Sequence, residues 1–248
     1  MDAADFYTGI VVDAYAKLKS AHFDPEPYAE FIAVTGQPAL EIGCGDGEPL
    51  LELVRRGLDI DGLDSSSDML ERCRINASAL GVDVALYHQK MEQLSLPRRY
   101  RSIYLAGPTF NLLPDDSTAL QALRAIREHL TTDGAALIPL WIPDPTPPEE
   151  LGLTREASED DGAVLRYTPL AEVYDEAARV RTTTTRYERI TATGVESVER
   201  AWVLHWYTSG SFEALCSEAG LRVTAVTDDD GHPVTSAATD FMVTVRRG

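Results

Sequence analysis

The chain has 248 residues, enough for one large domain, or one domain with an elaborate insertion, around a sizeable core. Hydrophobic content of 44% and charged content of 25% are those of an ordinary globular protein. The net charge of −18, with no basic stripe, argues against a nucleic-acid partner and mildly favours cationic or amine ligands.

The three cysteines, Cys44, Cys73 and Cys216, form no CxxC pair and no disulfide framework, so they read as buried reduced thiols. No apolar run approaches the roughly 20 residues of a membrane helix. The opening MDAADFYTG is acidic and polar, unlike a secretory signal, so a cytoplasmic protein with no membrane partner is expected.

Residues 1–36 read as helical: VVDAYAKLK has apolar spacing near 3.6, and DPEPYAEFIAV enters a second helix through prolines. PALEIGC is a strand. Three glycines follow in five positions, Gly43, Gly45 and Gly47, and Pro49 then opens a helix that Gly57 ends. DIDGLD is a second strand. SSSDMLERCRINASALG is a helix capped by Ser65, Ser66 or Ser67 and stopped by Gly81. VALYHQK and RSIYLAG are the third and fourth strands. STALQALRAIREHL is an amphipathic helix closed by TTDG, and AALIPLWI is the fifth strand.

Strand and helix alternate strictly through residue 142, which implies parallel strands with right-handed crossovers. The fold class expected is therefore α/β: a doubly wound, Rossmann-like, mostly parallel sheet with an antiparallel β insertion after the fifth strand. The insertion begins at IPDPTPPEE, where four prolines in six residues forbid a helix. From 162 to 208 the text is strand-like, and RVRTTTTRYERI alternates as a strand with one wet face would. SGSFEALCSEAG is a helix, and LRVTAVT with ATDFMVTVRR reads as a closing strand pair. Three regions follow: residues 1–36 as an N-terminal helical lid, 37–143 with 208–248 as a cofactor-binding core, and 144–207 as the insertion.

The glycine turn lies at the carboxyl edge of the first strand, where open α/β sheets bind ligands. A dinucleotide site prefers G-x-G-x-x-G. Here the spacing is G-x-G-x-G, and Glu48 stands where the third glycine belongs. A carboxylate there repels pyrophosphate, and Glu41 adds a second negative charge beside the turn. The pocket suits a nucleoside that carries positive charge. Asp64 ends the second strand 21 residues after Gly43, where a carboxylate can accept from both ribose hydroxyls.

LEIGCGDG together with IDGLDSSSDML resembles the class I S-adenosylmethionine-dependent methyltransferases. QKMEQLSL, SIYLAGPTFNLL, IREHLTTDGAALI and FEALCSEAGLRVTAV extend the resemblance in the same order, over about 39 to 142 and 208 to 247. It implies S-adenosyl-L-methionine as cofactor. Gly43, Cys44, Gly45 and Gly47 would let backbone approach it, Glu41 would reach its amino group, and Asp64 would hold its ribose. Ser65 and Met69 would flank the adenine, Lys90 and Met91 would border its edge, and Ala106 and Gly107 would lie near the sulfonium. Many relatives carry Asp where this chain has Lys90. Lysine cannot accept a hydrogen bond, which leaves a backbone carbonyl, Gln89 or Glu92 for the adenine amino group, or else a weaker adenine contact.

Tyr7 and Tyr15 resemble aromatics that close over the sulfonium and acceptor in relatives, although Tyr15 at helical spacing also fits a core. His205, among Trp202, Trp206 and Tyr207, is the histidine proposed for catalysis, against the alternative of an aromatic core strand. His22 either faces the cleft from the lid or is exposed. His88, His129 and His232 read as structural or solvated. Phe110 and Asn111 follow the fourth strand and would line the acceptor side, and Trp141 either lines the pocket or packs. No residue spacing implies a metal. The insertion resembles sheets that cover the active site or form a dimer in some small-molecule methyltransferases, so a homodimer is expected. RTTTTRYERI supplies either a polar lining or a wet face, the second being the simpler reading.

The function expected is methyl transfer to nitrogen or oxygen of a small polar metabolite, such as a sugar or natural-product intermediate. The alternatives are a non-catalytic cofactor-binding module, a methyltransferase acting on a protein, and a nicotinamide-dependent oxidoreductase, which Glu48 and the short glycine spacing oppose.

Overall fold

The structure is a computed structural model that describes residues 3–19 and 23–248; His22 lies outside them. The N-terminal segment forms α1 (Ala3–Phe6), α2 (Ile10–Leu18) and α3 (Glu26–Thr35). The alternating half follows as β1 (Ala39–Ile42), α4 (Leu50–Arg55), β2 (Ile60–Asp64), α5 (Ser67–Leu80), β3 (Leu86–His88), β4 (Tyr100–Leu105), α6 (Asp116–His129) and β5 (Leu130–Trp141). The insertion holds β6 (Arg155–Ser158), β7 (Val164–Asp175), β8 (Val180–Thr191) and β9 (Gly194–His205). The chain returns through α7 (Ser209–Glu218), β10 (Leu221–Thr227) and β11 (Asp240–Arg247).

The large sheet has the order β3-β2-β1-β4-β5-β11-β10. β1 to β5 pair in parallel, while β11 runs antiparallel to β5 and to β10. Strand order reverses between β1 and β4, and a crevice opens outside the carboxyl ends of the strands at such a switch. Ile42, Leu63 and Leu105 are in register there, so β1, β2 and β4 end together.

Alternation along the strands sends side chains to two cores. Leu40, Ile42, Ile103 and Leu105 pack with α6 and α7 on one face. Ala39, Ile60 and Tyr104 pack with α3, α4 and α5 on the other. Ser66 caps α5 by accepting from the Met69 amide, and Gly81 ends it in the left-handed conformation, both as the sequence implies. β5 differs from its expected start. It begins directly after α6, and TTDG forms an irregular stretch between the Tyr100–Leu130 and Ser102–Ala135 pairings.

The insertion is a separate antiparallel sheet of order β6-β7-β8-β9. α1 and α2 lie between it and the large sheet. Phe6, Ile10 and Val11 pack on Leu165, Tyr187, Val198 and Trp202. On the other side, the Gly9 amide donates to Asp68, the Ser66 hydroxyl donates to the Tyr7 carbonyl, and Arg72 pairs with Asp13 at 2.5 Å. The wet-face reading of RTTTTRYERI is corrected for alternate residues: Arg181, Thr183 and Thr185 point inward and are buried.

Candidate active site

The glycine turn is built on backbone hydrogen bonds. Gly43 and Cys44 both donate to the Leu63 carbonyl, at 2.7 and 3.0 Å, and the Gly47 amide donates to Cys44. Gly43, Gly45 and Gly47 all have positive φ, at 74, 52 and 100°. Their surroundings differ. A Cβ on Gly43 would meet Thr109 Cγ2 at 2.5 Å, and one on Gly47 would meet Leu51 at 2.6 Å. A Cβ on Gly45 would meet nothing within 4 Å, so only there does the missing side chain leave open space.

Two cavities meet at this turn and share Tyr7, Tyr15, Gly43, Gly45, Thr109 and Leu112. The first, of about 450 Å³, runs along the ends of β1, β2 and β3, past Asp64, Ser65, Met69, Lys90 and Met91. The second, of about 410 Å³, runs from the turn to the inserted sheet, and Cys44, Ala106 and Trp141 line it. Most of the expected residues are therefore brought together.

Asp64 is engaged on both oxygens: Oδ2 accepts from the Gly45 amide at 2.9 Å and Oδ1 from the Ser66 amide at 2.8 Å. Each oxygen keeps a second lone pair. Burial raises its pKa, and the Ser66 and Gly45 amides oppose the rise. Burial also pushes the Tyr7 phenol up to about 12 and the Tyr15 phenol further, so both stay protonated hydrogen-bond donors. Glu48, which stands against pyrophosphate in the sequence, forms an ion pair with Lys19.

Several expectations are corrected. Glu41 lines neither cavity. It is fully buried behind the turn, where Oε2 accepts from Tyr104 at 2.7 Å and Oε1 has no hydrogen-bond partner. Gly47 packs under Leu51 and Cys73, and Gly107 packs under Phe23 while its amide donates to Tyr28 at 3.1 Å. Phe110 and Asn111 belong to the core. Residues Thr109–Leu112 form one 3₁₀ turn, in which positions i and i+3 share a face. That puts Thr109 and Leu112 on the cavity and turns Phe110 inward onto Tyr207 and Phe212. Asn111 donates to the Trp141 and His205 carbonyls at 2.8 and 3.1 Å.

His205 also leaves the cleft. Successive residues of β9 point to opposite faces, and Trp202 and Leu204 line the cavity. His205 therefore points away, with Nδ1 at 2.8 Å from the Tyr207 hydroxyl and Nε2 at 3.5 Å from Asp116. Burial lowers its pKa. Gln89 stays on the wall of the first cavity, with its amide anchored twice to the Ser95 backbone. Glu92 shares that wall.

Sequence reasoning missed Thr109, Leu112, Asp46, Arg155, Tyr167, Thr185, Tyr187 and Trp202 as cavity residues. The alternation of the insertion carried a signal for Tyr167, Thr185 and Tyr187, but not which face turns inward.

Residues 39–134 match the family model described as a methyltransferase domain. Those residues are therefore a methyltransferase domain, and the fold is that of the class I S-adenosylmethionine-dependent methyltransferases. The methyltransferase is 25% identical, over 86% of its length and 84% of the relative's, to the cypemycin N-terminal methyltransferase of a Streptomyces species. It is 26% identical to the dTDP-3-amino-3,6-dideoxy-alpha-D-glucopyranose N,N-dimethyltransferase of Streptomyces fradiae. That match covers 56% of each chain. Its fold is similar to the CcbJ methyltransferase from Streptomyces caelestis, with a TM-score of 0.76, 19% identity and 96% of each chain covered.

The residues present fit the cofactor, S-adenosyl-L-methionine. The open space at Gly45 admits a ligand against backbone, and Asp64 keeps free lone pairs on the cavity wall. No helix among the described residues is long and apolar enough to cross a membrane, and no described cluster of His, Cys, Asp and Glu could hold a metal.

Proposed function

We propose that this methyltransferase acts on an amine nitrogen of a small polar acceptor of the natural-product type, with amino sugars as the leading class. The observation that carries the reading is the pair of cavities that meet at Gly43 and Gly45, one along the strand ends and one under the inserted sheet. The first would hold the nucleoside, with Asp64 on the ribose, Ser65 and Met69 beside the adenine, and Lys90 and Met91 at its edge. The second would hold the acceptor. The names of the two relatives, both nitrogen methyltransferases, support nitrogen over oxygen.

The bound sulfonium supplies a methyl group already activated for displacement. The chain's own task is to place the acceptor in line and exclude water, and positioning of this kind supplies roughly 7–11 kcal/mol. Tyr7, Tyr15, Trp141 and Trp202 form the walls that would do so. Protonated phenols at Tyr7 and Tyr15 donate hydrogen bonds and orient the acceptor. An amine attacks through its own lone pair, so neither phenol has to act as a base. α1 and α2 would serve as a lid. The N-terminal amine of a peptide is the second acceptor reading, which the cypemycin relative favours.

A cytoplasmic setting and a homodimer belong to the same proposal, and light scattering after size-exclusion chromatography checks the second. The function itself is tested by S-adenosylhomocysteine titration, followed by a mass-spectrometric screen of amino sugars, peptides and phenols for one added methylene. Methylated amines are expected. Products confined to phenols would move the reading to oxygen, and a folded sample that binds no S-adenosylhomocysteine would end it.

A further inference from the structure

The acceptor cavity carries charge that no described residue neutralises. Its charged lining residues are Lys19, Asp46, Glu48 and Arg155. Lys19 and Glu48 pair with each other. Asp46 is only 8% exposed. Its backbone carbonyl accepts from Asn76 at 2.8 Å, but its carboxylate has no ion pair or hydrogen bond among the described residues. Asp46 lines the cavity without a donor among the described residues, so a cationic group entering there would be its first partner.

Arg155 stands on the other wall, at the exposed edge of the inserted sheet. Its guanidinium lies over the Tyr167 ring at 4.7 Å and forms no ion pair among the described residues. Its neighbours differ: Arg166, Arg179, Arg186 and Arg189 each have a carboxylate partner. The guanidinium also lies close enough to the Tyr167 phenol to favour its ionised form, and its remaining N–H donors match a carboxylate or phosphate. Between the two walls, Trp202 Nε1 is buried and makes no hydrogen bond of normal geometry, although it lies close enough to Tyr7 to favour that phenol's ionised form. Trp202 therefore adds a neutral donor to the same chamber.

We propose that the acceptor is zwitterionic: an amine that arrives as an ammonium against Asp46 and gives up one proton through that carboxylate to solvent before its lone pair attacks, joined to an anionic oxygen group, carboxylate or phosphate, held by Arg155. The proposal rests on the methyltransferase reading of the site above. It assigns Asp46 and Arg155 as binding groups that choose among amines by what else the molecule carries.

The test is calorimetric titration of protein saturated with S-adenosylhomocysteine. The probes are 4-(aminomethyl)benzoate, 4-(aminomethyl)phenyl phosphate, benzylamine and benzoate. At least one of the two zwitterions is expected to bind tenfold more tightly than benzylamine or benzoate, a difference of about 1.4 kcal/mol. The better of the two identifies the anion. Arg155→Gln should bring that zwitterion to the level of benzylamine without changing benzylamine itself, and Asp46→Asn should bring it to the level of benzoate. Benzylamine binding as tightly as both zwitterions, no effect of Arg155→Gln, or no binding of any probe by the loaded protein would each overturn the proposal. Failure to take up S-adenosylhomocysteine at all would instead bring down the methyltransferase reading beneath it.

Discussion

One carboxylate of Asp64 ties two loops together, with Oδ2 on the Gly45 amide at 2.9 Å and Oδ1 on the Ser66 amide at 2.8 Å. The glycine turn after β1 and the start of α5 are thereby held at a fixed separation. The same side chain stands on the wall of the proposed nucleoside cavity.

Asp64→Ala removes both anchors and the proposed ribose acceptor. S-adenosylhomocysteine affinity is expected to fall at least tenfold, about 1.4 kcal/mol, in calorimetric titration. Asp64→Asn keeps one oxygen and should lose less. Equal affinity of Asp64→Ala and wild type would remove Asp64 from the site.

The crowding at Gly43 gives a paired test. Gly43→Ala drives its methyl group to 2.5 Å from Thr109 Cγ2, at a φ of +74° that side chains rarely adopt. A destabilisation of about 1–3 kcal/mol and weaker cofactor binding are expected. Thr109→Ser deletes the clashing methyl group, so the double variant should recover part of the stability in denaturant unfolding. No recovery would assign the whole effect to backbone strain.

Burial holds Glu41 well above the usual carboxylate range, and the Tyr104 hydrogen bond offsets only part of the rise. The folded state therefore keeps a proton that the unfolded chain releases above roughly pH 4.3. Its contribution to stability is fully present below that pH and is lost as pH rises through the raised folded value. Glu41→Gln removes this titration. Thermal unfolding should show the variant gaining on the wild type from pH 5 to pH 8, and parallel profiles would contradict the assignment.

His205 has the opposite sign. Burial lowers its pKa; Asp116 opposes the shift and Arg179 reinforces it. The unfolded chain binds the extra proton first, so this contribution is present above about pH 6.5 and is lost as pH falls through the lowered folded value. His205→Gln should flatten the acid side of the stability profile. It breaks the bond to Tyr207 at a cost of about 1–3 kcal/mol. Turnover should stay within about threefold of wild type once a substrate is found, because the imidazole faces away from the cleft. A loss of a hundredfold or more would return His205 to catalysis.

The contrast between His205 and Asp64 shows what sequence could and could not deliver. Asp64, the glycine turn, the Ser66 cap and the alternating strands are local patterns, and local patterns survive reading without coordinates. The facing of β9 is a matter of parity: shifting the reading by one residue exchanges Trp202 and Leu204 for Val203 and His205. Nothing nearby in the text fixes that parity. Phe110 and Asn111 failed for a related reason. Their place after the fourth strand locates the loop but not its facing, and a single 3₁₀ turn chooses Thr109 and Leu112 for the cavity. The Lys19–Glu48 pair joins residues from separate elements, and Gly47 and Gly107 are glycines because side chains pack on them. Each of these is decided by tertiary contact.

Asn111 grips both ends of the inserted segment. It bonds the Trp141 backbone, where the chain leaves β5, and the His205 carbonyl, where β9 hands it back. A long excursion thus departs and returns through one joint, held by a side chain that lines neither cavity. The excursion still meets the nucleoside side through α1 and α2, whose Phe6, Ile10 and Val11 pack on Leu165, Tyr187, Val198 and Trp202, so a replacement has to keep that packing. An engineer wishing to retarget this protein has a natural cut point: exchange residues 142–204 as a cassette, keep Asn111, and leave the glycine turn untouched.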